Sequence, residues 1–226
     1  MKNPLKTADP LETSEMRIVC ISDTHGLHRK LVLPEADILI HAGDFMVHGC
    51  STEEIDDFNE WLGTLPYRHR IVVAGNHDLL FESSPAEART HLSNAVYLEN
   101  AGITLEGVSF WGCPVTPVLP QWAFSAERGT AKYWDQIPAG IAVLVTHGPP
   151  FGTLDKDDIL SSHMGCKQLT KAVLRIKPRL HVFGHVHGGY GQEAGPNGTC
   201  FVNCAALNGA TLNRPVVIKL GLWAFE

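Results

Sequence analysis

The sequence predicts an α/β fold, and three observations carry that prediction. Short apolar runs recur along the chain, and helical patterns lie between several of them. Five of the six runs end in, or lead directly into, residues of the kinds that bind metals. In open α/β sheets ligand sites lie beyond the carboxyl ends of the strands, so residues far apart in sequence converge in one place.

Residues 1–15 mix Pro, Lys, Glu and Thr without periodicity and read as a mobile tail before a single domain over 16–226. The apolar runs are RIVCIS (17–22), ADILIHAG (36–43), RIVVAG (70–75), GVSFWG (107–112), AVLVTHG (142–148) and RLHVFG (179–184), and they read as buried strands. Helices are expected over STEEIDDFNEWLGTL, which opens with a Ser/Thr cap and an acidic first turn, and over SPAEARTHL, where Pro follows a Ser cap. A third is expected over HMGCKQLTKAVLRIKP, ending at a proline. The C-terminal third places Gly- and Asn-rich turns between strand-like runs, which suggests an antiparallel or mixed second sheet. Residues 113–138 form a long connection rich in Pro and Trp, the kind of segment that often serves as a lid.

Composition narrows the function classes. With 226 residues, 44% of them hydrophobic, the chain can bury a substantial core. A net charge of −6 lacks the basic footprint that drives binding to long DNA or RNA. No run reaches the roughly 20 apolar residues of a membrane helix, and the first 16 residues lack a signal-peptide core, so a soluble cytoplasmic protein is expected. The six cysteines include no CxxC pair, which argues for reduced structural thiols rather than a thiolate zinc site. Oligomeric state has no signature here.

The polar residues at the strand ends are Asp23-Thr24-His25, Gly43-Asp44, Gly75-Asn76-His77-Asp78, Thr146-His147-Gly148 and Gly184-His185-Val186-His187. Any one DxH or HxH is common, but five groups in register at strand ends are hard to explain as satisfied core polar residues. The flanking glycines 26, 43, 75, 148, 184 and 188 suit sharp turns that aim side chains at a common point. Imidazoles with carboxylates and one amide oxygen suit manganese, iron, zinc, cobalt or nickel, whereas calcium wants mostly oxygen ligands. Five candidate imidazoles exceed the needs of one ion, so two ions sharing an anionic bridge are expected.

This series, DxH, GD, GNHD, a lone His and GHxH, resembles that of the calcineurin-like metallophosphoesterases. The stretch Thr146-His147-Gly148-Pro149-Pro150, the Trp122-Ala123-Phe124 segment and the compact length are similar to the small fetal-brain-type metallophosphodiesterases and their bacterial relatives. The resemblance implies a four-layer α/β-β/α sandwich of two mixed sheets flanked by helices. It implies one metal held by Asp23, His25 and His187, a second by Asn76, His147 and His185, and Asp44 bridging them. The two ions would be divalent or trivalent transition metals, with manganese and iron favoured, and the nucleophile a metal-bridging hydroxide. His77 is implied as the general acid. The sequence departs from many relatives where an acidic residue, three positions after the bridging Asp, can orient that His: Val47 stands there, so His48 and Asp78 become the candidates. Asp78 could equally cap the following turn.

The expected reaction is hydrolysis of small phosphodiesters such as cyclic nucleotides, with phosphomonoesterase and phosphoprotein phosphatase activities as alternatives. A non-catalytic metal-binding interaction module is the alternative from another class, and the intact ligand set argues against it. His41 and His181 lie inside strand-like runs and read as satisfied buried histidines. His28 and His163 are expected exposed or capping, with His28 close enough to Asp23 to reach the cleft. Trp111, Trp122, Phe124 and Trp134 could form a stacking wall, although Trp more often buries area in a core. Substrate preference is assigned to the stretch from Gly107 onward and to the 113–138 connection.

Overall fold

The structure, a computed structural model, describes residues 15–117, 121–157 and 161–221. All six expected runs are strands. In chain order the strands are β1 (Glu15–Ile21), β2 (Ile38–His41), β3 (His69–Val72), β4 (Val96–Tyr97), β5 (Ala101–Leu105), β6 (Val108–Cys113), β7 (Thr116–Pro117), β8 (Ser125–Ala126), β9 (Val143–Thr146), β10 (Leu180–Phe183), β11 (Gly191–Ala194), β12 (Cys200–Asn203), β13 (Leu207–Asn208), β14 (Thr211–Leu212) and β15 (Val216–Gly221). The helices are α1 (Thr52–Thr64), α2 (Leu79–Ser83), α3 (Pro85–His91), α4 (Lys132–Asp135) and α5 (Lys167–Ile176). Of the expected tail, residues 1–14 lie outside the described part, and Glu15 already pairs with Gly221.

Two mixed sheets form, ordered β15-β1-β2-β3-β4 and β11-β12-β10-β9-β6-β5. Alternation along each strand divides the side chains between two surfaces. Ile18, Cys20, Ile38 and Ile40 of the first sheet pack against Phe110, Val143, Val145 and Val182 of the second. Val19, Ile21 and Leu39 face the other way, onto Ile55, Phe58 and Leu62 of α1. On the second sheet Leu144 and Phe183 meet Leu169, Val173 and Ile176 of α5. The layers are therefore helix, sheet, sheet, helix, as expected.

The C-terminal third does not build the second sheet alone. It adds β11 and β12 to that sheet, antiparallel to each other, and sends β15 back to the edge of the first, antiparallel to β1. Three helices stand where expected, but the Ser51 hydroxyl does not cap α1; it donates to the Glu53 carboxylate instead. Proline at the start of α3 takes a position where no helical N–H is needed. At the other end of the chain α5 stops at Lys177, whose left-handed backbone precedes Pro178.

Phe58 is fully buried and stacks on Phe45 at 4.4 Å. Phe58→Ala should destabilise the protein by about 3–5 kcal/mol, because the ring leaves a cavity between helix and sheet. Urea denaturation checks this; a loss under about 1 kcal/mol would show that the site collapses around the gap.

Candidate metal centre

Parallel pairing of β1, β2 and β3, and of β6, β9, β10 and β12, brings the carboxyl ends of the central strands to one edge. Backbone bonds splice the loops there: Asp23 donates its N–H to Gly43, His25 to Asp44, and Gly184 to His147. All seven expected ligands and His77 meet at this edge.

Three groups of potential ligand atoms lie within 4.8 Å of one another: Asp23, His25 and His187; Asp44, His147 and His185; and His25, Asp44 and His77. The first two match the two expected metal sets, and Asn76 joins the second through its Oδ1, 3.0 Å from His147 Nε2. Asp44 Oδ2 stands between the sets, 3.3 Å from His147 Nε2 and 3.9 Å from His25 Nε2. Asp23 Oδ1 lies 3.4 Å from His187 Nε2. Asp23, Asp44 and His147 form a buried floor, while His25, His77, His185 and His187 are more open and form the mouth.

The donor set fits positive ions. His147 Nδ1 lies 2.9 Å from the Ala42 carbonyl, so it must carry a proton and donate it. Nε2 then faces the oxygens of Asn76 and Asp44, an arrangement that needs either a second proton or a cation. Burial opposes a charge on His147, but the Asp44 carboxylate beside it and Asp23 nearby lift its pKa to about 9. Burial likewise works against ionised Asp23, yet the hydrogen bond to His187 and the field of His147 hold its carboxyl well below the usual range. Burial pushes His185 down to about 4 and lowers His25 as well, so these two offer neutral imidazoles, while the carboxylates draw positive charge to the floor at His147.

Local backbone geometry serves the same end. Asp23, His25, Asp44 and His185 all have positive φ, between 40° and 66°, a conformation that costs a non-glycine residue of order 1–3 kcal/mol. Glycines allow the close packing around them. A Cβ at Gly184 would stand 2.0 Å from Asp23 Oδ2, and one at Gly75 2.2 Å from Asp44 Oδ1. Gly148 fits neither reason, since its φ is ordinary and its nearest neighbour would be 3.4 Å away.

His77 has the partner that the side chains did not reveal. Its Nδ1 lies 3.3 Å from the backbone carbonyl of Val47, which must accept, so Nε2 is left for the cleft. Its own N–H donates to Asp44 Oδ1 at 2.7 Å. Neither His48 nor Asp78 takes this role. His48 is exposed, and its backbone N–H is held by Glu54. Asp78 is fully buried and accepts from Asp44 N, Met46 N and Gly75 N, clamping two ligand loops together. Burial and the nearby Asp44 charge push its pKa well up, against the pull of those bonds.

His41 and His181 are buried, and each meets a threonine that precedes a candidate ligand histidine: Thr24 Oγ1 to His41 Nε2, and Thr146 Oγ1 to His181 Nε2, both 2.9 Å. His41 is satisfied as expected, its Nδ1 accepting from the Gly43 N–H, whereas His181 Nδ1 has no partner among the described residues. Burial pushes both imidazoles down to about 3. Below the ordinary value of 6.5 the unfolded chain binds protons that the native state refuses. Stability should therefore fall as pH drops from about 6.5 towards 3. His147 acts in the opposite sense: its contribution is present below 6.5 and is lost as pH rises through about 9. Melting temperature against pH should show both limbs in metal-free protein, and metal loading should remove the alkaline one; an alkaline limb unaffected by metal would refute this.

Several sequence readings change. His28 is buried, not exposed, against Phe58 and Trp61, with Nε2 3.0 Å from Asp57, so it packs on α1. His163, by contrast, is exposed, one of its two expected readings, and it pairs with Asp155. The aromatic wall reduces to Trp122, whose ring is 4.1 Å from that of His77; Phe124 and Trp134 are buried, and Trp111 packs on the α5 side of the second sheet. Gly107 turns the β5–β6 hairpin at the strand ends opposite the site, since Glu106 beside it meets His69 at the start of β3. The described part of the 113–138 connection does reach the centre, where Ala123 donates its N–H to the Asn76 carbonyl. Asn203 went unnoticed in the sequence: buried at the end of β12, its side-chain amide donates to the carbonyls of Leu154 and Val186, steadying the GHxH loop. The signal for it was an amide closing an apolar run.

The profile described as calcineurin-like phosphoesterase matches residues 16–189. The chain belongs to that family. Metallophosphoesterase domain-containing protein 1 of Homo sapiens is 38% identical over an alignment covering 97% of this chain and 76% of that protein. UPF0046 protein K07C11.7 of Caenorhabditis elegans is 37% identical, covering 92% of this chain and 76% of its own length. A solved crystal structure superposes with a TM-score of 0.64 over 84% of this chain and 90% of the other, and at 19% identity it speaks for the fold alone. As a calcineurin-like phosphoesterase the chain is a metal-dependent phosphoester hydrolase, from a family that uses two metals, and it carries candidate clusters for both. Among the described residues no helix is long and apolar enough to cross a membrane.

Proposed function

We propose that this phosphoesterase hydrolyses small phosphodiesters, cyclic nucleotides among them, at two transition-metal ions. The observation that carries the reading is the pair of ligand clusters meeting at Asp44, with His77 beside them and outside the two sets. Asp23, His25 and His187 would hold one ion and Asn76, His147 and His185 the other, with Asp44 shared. Bound there, the metals supply a nucleophile at neutral pH and neutralise charge on the phosphate. Manganese and iron are the favoured pair, and the borderline donor set also suits zinc, cobalt or nickel.

The protein's own part centres on His77. Nδ1 is tied to the Val47 carbonyl, which fixes the ring and leaves Nε2 to donate a proton to the leaving oxygen. Trp122 covers one side of that ring and His25 meets it edge-on, so the imidazole is held from two directions. Asn76 and His185 would orient the phosphate through the ions they hold. A small substrate suits a centre whose rim is made of single side chains. We further propose a cytoplasmic protein that works without long nucleic acid; its six free cysteines suit a reducing compartment.

The test is a metal-reconstituted screen across cyclic nucleotides, linear diesters and monoesters. Turnover of diesters well above monoesters supports the proposal. Preference for monoesters or phosphoproteins would overturn the substrate class, and stoichiometric metal without turnover would overturn catalysis.

A further inference from the structure

A cavity of about 520 Å³ opens at the start of α5, and none of the proposed metal ligands lines it. Its walls combine two chemistries. Phe151 supplies planar apolar surface, with the buried Trp134 behind the wall, while Arg128, Lys167 and Lys171 supply positive charge. Lys167 and Lys171 are four residues apart on α5 and so share a face of the helix. Lys167 Nζ lies 4.9 Å over the Phe151 ring. Among the described residues these three cations have no carboxylate partner, and Glu127 alone of the lining residues is acidic.

Two further features point at a ligand. The ten-residue α5 has no side chain capping its first turn, and Lys167 and Gln168 of that turn face the cavity, where helix N–H groups favour an anion. Independently, Thr116 is fully buried, lines the same cavity, and its Oγ1 has no hydrogen-bond partner among the described residues. A buried hydroxyl left unpaired is a cost that valine, nearly the same shape, would avoid. Thr116 reaches the cavity because β7 pairs with β8, its N–H bonding the Phe124 carbonyl.

We propose that this cavity is a second ligand site, for a small organic anion. The acidic group, carboxylate or phosphate-like, lies at the start of α5 against Arg128, Lys167 and Lys171. Its planar body rests on Phe151, and a polar atom of the ligand satisfies Thr116 Oγ1. The apolar walls select against inorganic anions, and the cations select against neutral aromatics.

Calorimetric titration of the metal-loaded protein tests this with naphthalene-2-carboxylate and naphthalene-2-phosphonate, which separate the two acidic groups, and with 2-naphthalenemethanol as the neutral control. At least one anion should bind below about 1 mM, and about tenfold or more tighter than the alcohol. The double variant Lys167→Ala/Lys171→Ala changes exposed side chains and should lose about tenfold or more of that affinity. Thr116→Val should weaken binding while leaving the melting temperature unchanged or raised, which a purely structural hydroxyl would not do. Equal affinity for the alcohol, no binding of either anion, or full affinity in the folded double variant would each overturn the proposal.

Discussion

Replacing Asp44 with Ala is expected to lower kcat by about a thousandfold or more and to leave the protein holding at most one metal ion. The reason lies in its two oxygens. Oδ2 stands between His147 and His25, one from each cluster, and Oδ1 accepts the N–H of His77. Losing the carboxylate therefore removes the anion that two neighbouring cations would share and loosens the backbone that carries His77. Asp44→Asn separates the two effects. It keeps an oxygen for the His77 N–H but drops the charge, so metal content should fall nearly as far as in Asp44→Ala while the fold around His77 is kept. Elemental analysis alongside steady-state kinetics reads both quantities. Two bound metals and an undiminished rate in Asp44→Ala would end the two-metal reading.

For His77→Ala, a loss of about 100- to 10,000-fold in kcat is expected on substrates with alkoxide leaving groups, with the metals retained. The loss should nearly vanish for bis-p-nitrophenyl phosphate, because nitrophenolate departs without needing a proton. That contrast separates an acid from a ligand, a distinction that matters here because His77 also lies within reach of His25 and Asp44. Were His77 a metal ligand, every substrate would slow together and metal content would fall. Val47, which supports His77 through its carbonyl, should tolerate replacement by Ala with little change in rate, since the bond belongs to the backbone.

The same residue shows where the sequence ceased to be readable. The candidate ligands at strand ends were legible because imidazoles and carboxylates are unusual after apolar runs, and their order survives folding. The support for His77 was not, since a backbone carbonyl has no side-chain signature and Val47 registered only as a missing acid. Asp78 was weighed as a cap of the following turn; its partners are the amide of Gly75 before it and those of Asp44 and Met46, more than 30 residues away. The strands β4 and β5 were missed because β4 has two residues and β5 opens on Ala-Gly, a poor strand former. Nor could spacing tell which side of a sheet an aromatic takes, so Trp134 was placed with Trp122 although it packs among the side chains around α5. The α/β class, by contrast, followed from strands alternating with helices, while the four layers followed from the resemblance carried by the motifs; the structure sends Ile18 to one face of the first sheet and Val19 to the other.

Four of the proposed ligands, Asp23, His25, Asp44 and His185, hold the chain in a conformation that glycine and asparagine adopt more easily. Selection for chemistry must therefore oppose selection for a robust fold at these positions. A gene copy released from catalysis would be expected to drift first at His25 and His185, towards Gly or Asn, and to gain stability as it does so, whereas the Asp23 and Asp44 carboxylates also hold backbone N–H groups. Such replacements would mark a silent descendant more reliably than changes elsewhere in the domain, because at these positions thermodynamics and loss of function push the same way.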